Sequence, residues 1–224
     1  LKYHASKGLD LSSQFSELIN SPAVNTNLQT GTKAVSAMEI INTLPLDAEG
    51  FFLSRYSIRQ FSESSIPDEI LQKLANIAAK TPSVCNRQSC KVYFFNKPEL
   101  IKSVLSLQDG NAGFGNTAGA IAVVTSDVSC FYKAGERYQG YVDGGLFAMT
   151  LVYGSHALGL GSCMLNWSQA TRTDQRMRQR LRLSQSEIII TLIAFGKLRD
   201  EFVVASSPRR PLTDMHEINR ILGH

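Results

Sequence analysis

The 224-residue chain lacks most of the features from which a function is read directly. Cysteine is scarce: Cys85, Cys90, Cys130 and Cys163 form no CxxC pair, and no histidine lies at metal-ligand spacing from them. That excludes a zinc ribbon, a disulfide framework and a thioredoxin-type centre, and leaves reduced thiols in a cytoplasmic protein with no metal site. No apolar run reaches the roughly 20 residues of a bilayer span, and the polar N-terminus carries no secretory signal. The nucleophile elbow GxSxG and the phosphate loop GxxxxGK[ST] are absent. Gly159-Leu160-Gly161-Ser162 departs from the dinucleotide fingerprint GxGxxG and has no acidic residue at the right distance after it. His4, His156, His216 and His224 are isolated, and His156 reads as a packed histidine rather than a base. Excess charge of one sign is small, a formal +4. It suits anionic ligands such as phosphates, but the basic residues are spread out and no nucleic-acid motif accompanies them. The densest run, Arg172 to Arg182, alternates with polar residues and reads as a solvated helix face.

What is present is a globular composition, 43% apolar and 19% charged, in a chain long enough to bury its own core. The chain begins at Leu1 without methionine, which points to a trimmed piece of a longer protein. Residues 1–50 read as an N-terminal helical extension, with helices near 11–19 and 32–43 and a loop at Asn25, Asn27, Thr30 and Gly31. Residues 51–224 read as the main domain. Ser65-Ile66-Pro67-Asp68-Glu69 starts a helix whose Ile70, Leu74, Ile77 and Ala78 share a face. Lys91–Phe95 is a short β-rich run, and Lys97-Pro98-Glu99 opens another helix. Ala118–Thr125 is a buried central strand and Glu187–Phe195 the strongest strand, closed by Gly196. Between them Val142–Leu158 is the longest helical pattern, apolar around its circumference, as at a dimer centre. Pro211–Leu222 reads as a final helix. Strands alternate with helices without repeats, so the class is α+β.

With no catalytic signature of its own, such a chain needs a cofactor to supply chemistry. Four segments fit that need. In Arg55-Tyr56-Ser57-Ile58-Arg59-Gln60-Phe61, two arginines four apart on a helical turn, with a serine between, make a phosphate or polyol clamp. In Thr81-Pro82-Ser83-Val84-Cys85-Asn86-Arg87-Gln88, side-chain amides match the donor–acceptor edge of a flat heterocycle. In Gly159 to Trp167, glycines let backbone approach a flat ligand, while Met164 and Leu165 offer an apolar surface. Arg209 and Arg210, before Pro211-Leu212, complete a phosphate site. Alone, the first segment also reads as a solvated basic turn and the second as an ordinary turn.

In this order the segments resemble the nitroreductase-like flavoprotein family. Arg55, Ser57, Arg59 and Phe61 match its Arg-x-Ser-x-Arg-x-Phe; Pro82, Ser83, Asn86 and Gln88 match its Pro-Ser-x-x-Asn-x-Gln. The glycine segment follows the long helix, and an arginine precedes a Pro-Leu pair near the end. The resemblance covers about residues 50–222. It implies the nitroreductase-like fold, a central mixed or antiparallel sheet flanked by helices, with a long central helix at the interface of a homodimer. It implies FMN, with NAD(P)H as electron donor and a small acceptor such as a quinone or nitroaromatic, in ping-pong hydride transfer through flavin N5. Arg55, Tyr56, Ser57 and Arg59, with Arg209 or Arg210, would hold the phosphate and ribityl chain. Asn86 would reach the ring, with Pro82, Ser83, Val84 and Gln88 beside it across the dimer. Met164, Leu165 and Asn166 would lie along the isoalloxazine, Asn166 being the candidate near N5. Two departures bear on the substrate: Ser89-Cys90 stands where many relatives have Pro-Trp, and Asn166 where glutamate is common. They keep open a specialised flavin chemistry on the same fold (dehalogenation or azoline oxidation). Tyr3-His4 with Lys7-Gly8-Leu9 resembles family members of bacterial polysaccharide clusters, which keeps open a non-catalytic scaffold in polysaccharide biosynthesis.

Overall fold

A computed structural model describes residues 35–218. The helix expected near 11–19 and the loop at Asn25–Gly31 lie outside the described residues. The chain divides into two compact units, Leu1–Ala48 and Glu49–His224. In the first, helix α1 (Ala37–Ile41) begins in a capping box: Ser36 Oγ accepts from the Glu39 N–H, and the Glu39 carboxylate accepts from the Ser36 N–H. It is shorter than the 32–43 pattern suggests, because Asn42 caps it and Pro45 cannot continue a helix. Helix α2 (Ala48–Leu53) follows.

The second unit is built on five strands: β1 (Phe61–Ser62), β2 (Cys90–Phe95), β3 (Ala120–Asp127), β4 (Leu160–Asn166) and β5 (Glu187–Leu198). Every pairing is antiparallel. The order is β2–β3–β5–β4, with β5 at the centre. Lys197 of β5 lies opposite both Ser62 and Leu160, so β1 and β4 flank it on opposite sides. The buried runs Ala120–Val124 and Leu192–Phe195 lie in the two central strands, β3 and β5. β5 continues past Gly196 to Leu198 because the Phe61 ring packs where a Cβ would stand.

Alternate residues of these strands divide the core into two layers, the period-2 consequence of a pleated sheet. On one face Ala122, Val124, Ile193 and Phe195 pack with Leu71 and Leu74 of α3 (Asp68–Ala78) and Ala148, Leu151 and Val152 of α5 (Gln139–Ala157). On the other, Ile121, Val123, Leu192 and Ala194 pack with Ile101 and Val104 of α4 (Pro98–Leu105) and Met177 of α6 (Thr171–Leu181). The result is helices on both faces of an antiparallel sheet, the α+β class. Pro98 takes the first turn of α4, as its fixed φ favours, whereas Pro67 is the N-cap of α3 rather than its first residue.

Three expectations need correction. The segment Arg55–Arg59 is extended, not a helical turn. The chain after Pro211 makes only a 3-10 turn at Leu212–Asp214 among the described residues, because no apolar face of that segment is buried. The arginine run is not merely solvated: Arg178 donates to the carbonyls of Glu187, Ser184 and Gln185, and Arg180 to that of Ser103. No helix among the described residues is long and apolar enough to cross a membrane.

Candidate active site

The first part of the site lies along the outer edge of β4. Ser57 bridges Ser162 in parallel, and the Ile58 N–H donates to the Ser162 carbonyl at 2.9 Å. In extended chain, residues two apart share a side. Arg55, Ser57 and Arg59 therefore keep a common side through a strand period rather than a helical one, while Ile58 is buried. The two glycines of this segment have different local roles. Gly159 takes φ +71° to turn from α5 into β4, and a Cβ on Gly161 would stand 3.1 Å from both Ile58 and Leu198.

Arg55, Tyr56, Ser57, Tyr153 of α5, Ser206, Ser207 and Arg209 line one cavity of about 390 Å³. Segments some 150 residues apart in the chain thus meet, and Arg209 also donates to the Ser207 carbonyl at 2.6 Å. Arg59 and Arg210 are exposed and do not line it. Arg59 stands near Cys163, whose thiol is pushed up by burial and drawn partly back by that guanidinium. Along β4, Met164 and Asn166 are exposed, but Leu165 is 3% exposed and packs in the core. The alternation of the strand turns the Leu165 side chain inward, away from the side on which Met164 and Asn166 are exposed. Buried Gln108 donates to the Asn166 carbonyl at 3.1 Å and fixes that end of the strand. Gln108, Tyr153, Ser206 and Ser207 were not visible as site residues in the sequence, since each sits in a segment with no motif.

The second part is the loop Thr81–Gln88. Pro82, Ser83 and Gln88 line a separate cavity of about 310 Å³ with Cys90 and Asp143. Val84 is half-buried and Asn86 exposed. Three non-glycine residues of this loop have positive φ: Cys85 at 50°, Asn86 at 54° and Gln88 at 51°. Ser83 Oγ accepts from the Gln88 N–H at 2.9 Å, and Asp143 accepts from the Val84 N–H at 3.3 Å. The Cys90 thiol is pushed up by burial, with the Asp143 charge adding to the effect. A lone carboxylate in an otherwise apolar helical pattern is the one sequence signal that marks Asp143.

The two parts are far apart within one chain. The loop adjoins β2 and Asp143, whereas the arginine cavity adjoins β4 and Tyr153. Three strand spacings amount to about 14 Å, and ten residues along α5 to about 15 Å.

The nitroreductase family model matches residues 53–197. The chain belongs to the nitroreductase family. An FMN-dependent nitroreductase from Clostridium difficile superposes with a TM-score of 0.65 at 20% identity, over 77% of this chain and 99% of that one. A Desulfovibrio desulfuricans protein solved in complex with FMN gives 0.63 at 20% identity, over 77% and 96%. B. megaterium NfrA2 gives 0.66 at 19% identity, over 77% and 74%. At these identities the likeness is one of fold. No curated protein matches the chain significantly.

Family membership makes oxidoreduction the coarse functional class. The lining of the arginine cavity holds no histidine, cysteine or carboxylate. It offers two guanidinium groups, hydroxyls and aromatic rings, a donor set for a phosphate, a polyol and a flat ring rather than for acid–base work. All four cysteines are free, and among the described residues no cluster fits a metal ion.

Proposed function

We propose that this nitroreductase-family protein is an FMN-dependent NAD(P)H oxidoreductase that reduces a quinone, a nitroaromatic or another small acceptor as a homodimer. The observation that carries the reading is the convergence of Arg55, Ser57 and Arg209 on one cavity beside the exposed edge of β4. Its volume of about 390 Å³ lies within the range of cofactor pockets. The donor set fits the group. Arg55 and Arg209 would form charge-assisted hydrogen bonds to the phosphate, and Ser57 with Tyr56 would meet the ribityl hydroxyls. Met164 would give the ring an apolar surface, and the Asn166 segment, anchored by Gln108, a polar one. When bound, FMN would supply the redox chemistry between NAD(P)H and the acceptor, and the order would be ping-pong. The chain's residues bind, orient and exclude water, and no protein base is required.

A second copy completes the site in this reading. The face of α5 that bears Tyr141, Val142, Gly145 and Leu146 is exposed, with the three large side chains 47–55% accessible. They recur at i, i+1, i+4 and i+5, and Tyr138 before the helix extends the stripe. An isologous contact through this face would carry the Asn86 loop of one copy toward the β4 edge of the other. That arrangement answers the separation of the two parts in the single chain.

The test is the visible spectrum of the purified protein before and after addition of FMN, then of NADH or NADPH without oxygen, with its mass in solution by light scattering. Flavin bands that bleach with the nucleotide, on a particle of two chains, support the reading. Bound flavin that stays oxidised moves the assignment to specialised flavin chemistry, and no flavin uptake moves it to a scaffold.

A further inference from the structure

A loop with three left-handed non-glycine residues does not hold that shape by itself. Cys85 and Gln88 lack the short polar side chain that lets asparagine tolerate this region, so the conformation is strained and persists only where its surroundings impose it. The surroundings are on two elements outside the loop. From α5, Asp143, 2% exposed, accepts the Val84 N–H with one oxygen and the Gln139 side-chain amide at 2.8 Å with the other. From the segment before α5, Glu136 pairs with Arg87 Nη1 at 2.8 Å, and the same nitrogen donates to the Cys130 carbonyl at 3.1 Å. The Arg87 guanidinium also lies against the rings of Phe131 and Tyr132, 5.7 and 5.1 Å from their centroids. Within the loop, Arg87 is the residue tied to this segment by an ion pair, while Asn86 beside it is exposed.

We infer that Arg87 and Asp143 are positioning residues for the flavin: they clamp segment 83–88 in its strained shape, so that the Asn86 and Gln88 amides are set for the polar edge of the ring before it binds. The inference rests on the flavin reading above. Neither side chain need touch the cofactor. Their part is to keep the competent loop conformation populated, and a fall of that population to about a tenth weakens the apparent affinity about ten-fold.

The test uses Arg87→Ala in the full chain, with two readouts. Amide hydrogen exchange of residues 84–88, measured without flavin, is expected to speed up about ten-fold, and FMN titration to show about ten-fold weaker binding. Adding Cys85→Gly to Arg87→Ala supplies a residue free to take positive φ and is expected to restore much of the FMN affinity. A group that touched the ring would not be rescued this way. Asp143→Asn, which keeps the side chain's shape, is expected to show the same two effects more weakly. Unchanged exchange in Arg87→Ala overturns the positioning role, and so does faster exchange with unaltered FMN affinity or an affinity loss that Cys85→Gly leaves untouched. Failure of the unaltered protein to take up FMN is a separate result, which overturns the proposed function itself.

Discussion

The two parts of the candidate site are built in opposite ways. The arginine part rests on backbone: extended chain joined to β4 at the Ser57–Ser162 bridge, with Ile58 anchored in the core and Gly161 leaving room for it. The loop part rests on side chains: a strained backbone held by Asp143, Glu136 and two aromatic rings. A paired strand edge tolerates loss of a projecting side chain, because its shape comes from main-chain hydrogen bonds. A clamped loop has no such reserve. Steric change should therefore damage the first part, and side-chain deletion the second.

The largest expected effect is on binding. Replacing both Arg55 and Arg209 by alanine removes two charge-assisted hydrogen bonds worth about 1.5–3 kcal/mol each, so FMN affinity should fall by a factor on the order of a hundred or more. Hydrogen exchange along 57–58 and 160–166 should not change, and a loosened β4 edge in this variant would break the comparison. Next is Gly161→Val, which drives a branched side chain against Ile58 and Leu198. Overpacking of this kind costs about 1–3 kcal/mol. A lower melting temperature with the segment at 57–58 freed is the expected outcome, and unaltered stability would show that the packing is slack.

A smaller effect follows from pH. Burial works to raise the Glu136 carboxyl, but the Lys133 and Tyr132 N–H groups and then Arg87 outweigh it, so it sits below the usual carboxylate range. A depressed carboxyl stabilises the fold above its unfolded pKa, and that contribution is lost as pH falls through the folded value. Lowering the pH below about 4 should reduce the protection of amides 84–88, relative to intrinsic exchange at the same pH, while leaving that of 57–58 unchanged. An equal loss of protection in both would remove the contrast. The smallest effect belongs to Cys85→Gly alone: relief of a left-handed residue is offset by glycine's entropy, about 0.5–1 kcal/mol, so the melting temperature should hardly move.

Much of the fold was legible because it is local. The β-branched runs of β3 and β5 and the small-residue pattern of α5 declare themselves at their own periods. β4 did not, since Leu160-Gly161-Ser162 reads as a loop and becomes a strand only by lying opposite Gly196 and Phe195 of β5. The Arg55–Arg59 spacing fits the helical period as well as the extended one because residues four apart share a side in both, and only pairing with Ser162 decides between them. Pro211–Leu222 has helical composition, but nothing in the described part buries a face of it. Arg178 and Arg180 read as solvated because their carbonyl partners lie in other segments, Ser184 in the loop before β5 and Ser103 in α4.

By itself, the amino-acid sequence determined the α+β class, the order of the main elements and which segments carry the arginines and amides, because propensity and periodicity act between near neighbours. Tertiary structure alone decided that Arg55 and Arg209 meet, that Leu165 turns inward, and that Arg87 and Asp143 brace a strained loop. Those outcomes depend on strand register and on contacts between residues tens to more than a hundred positions apart, which no local pattern encodes.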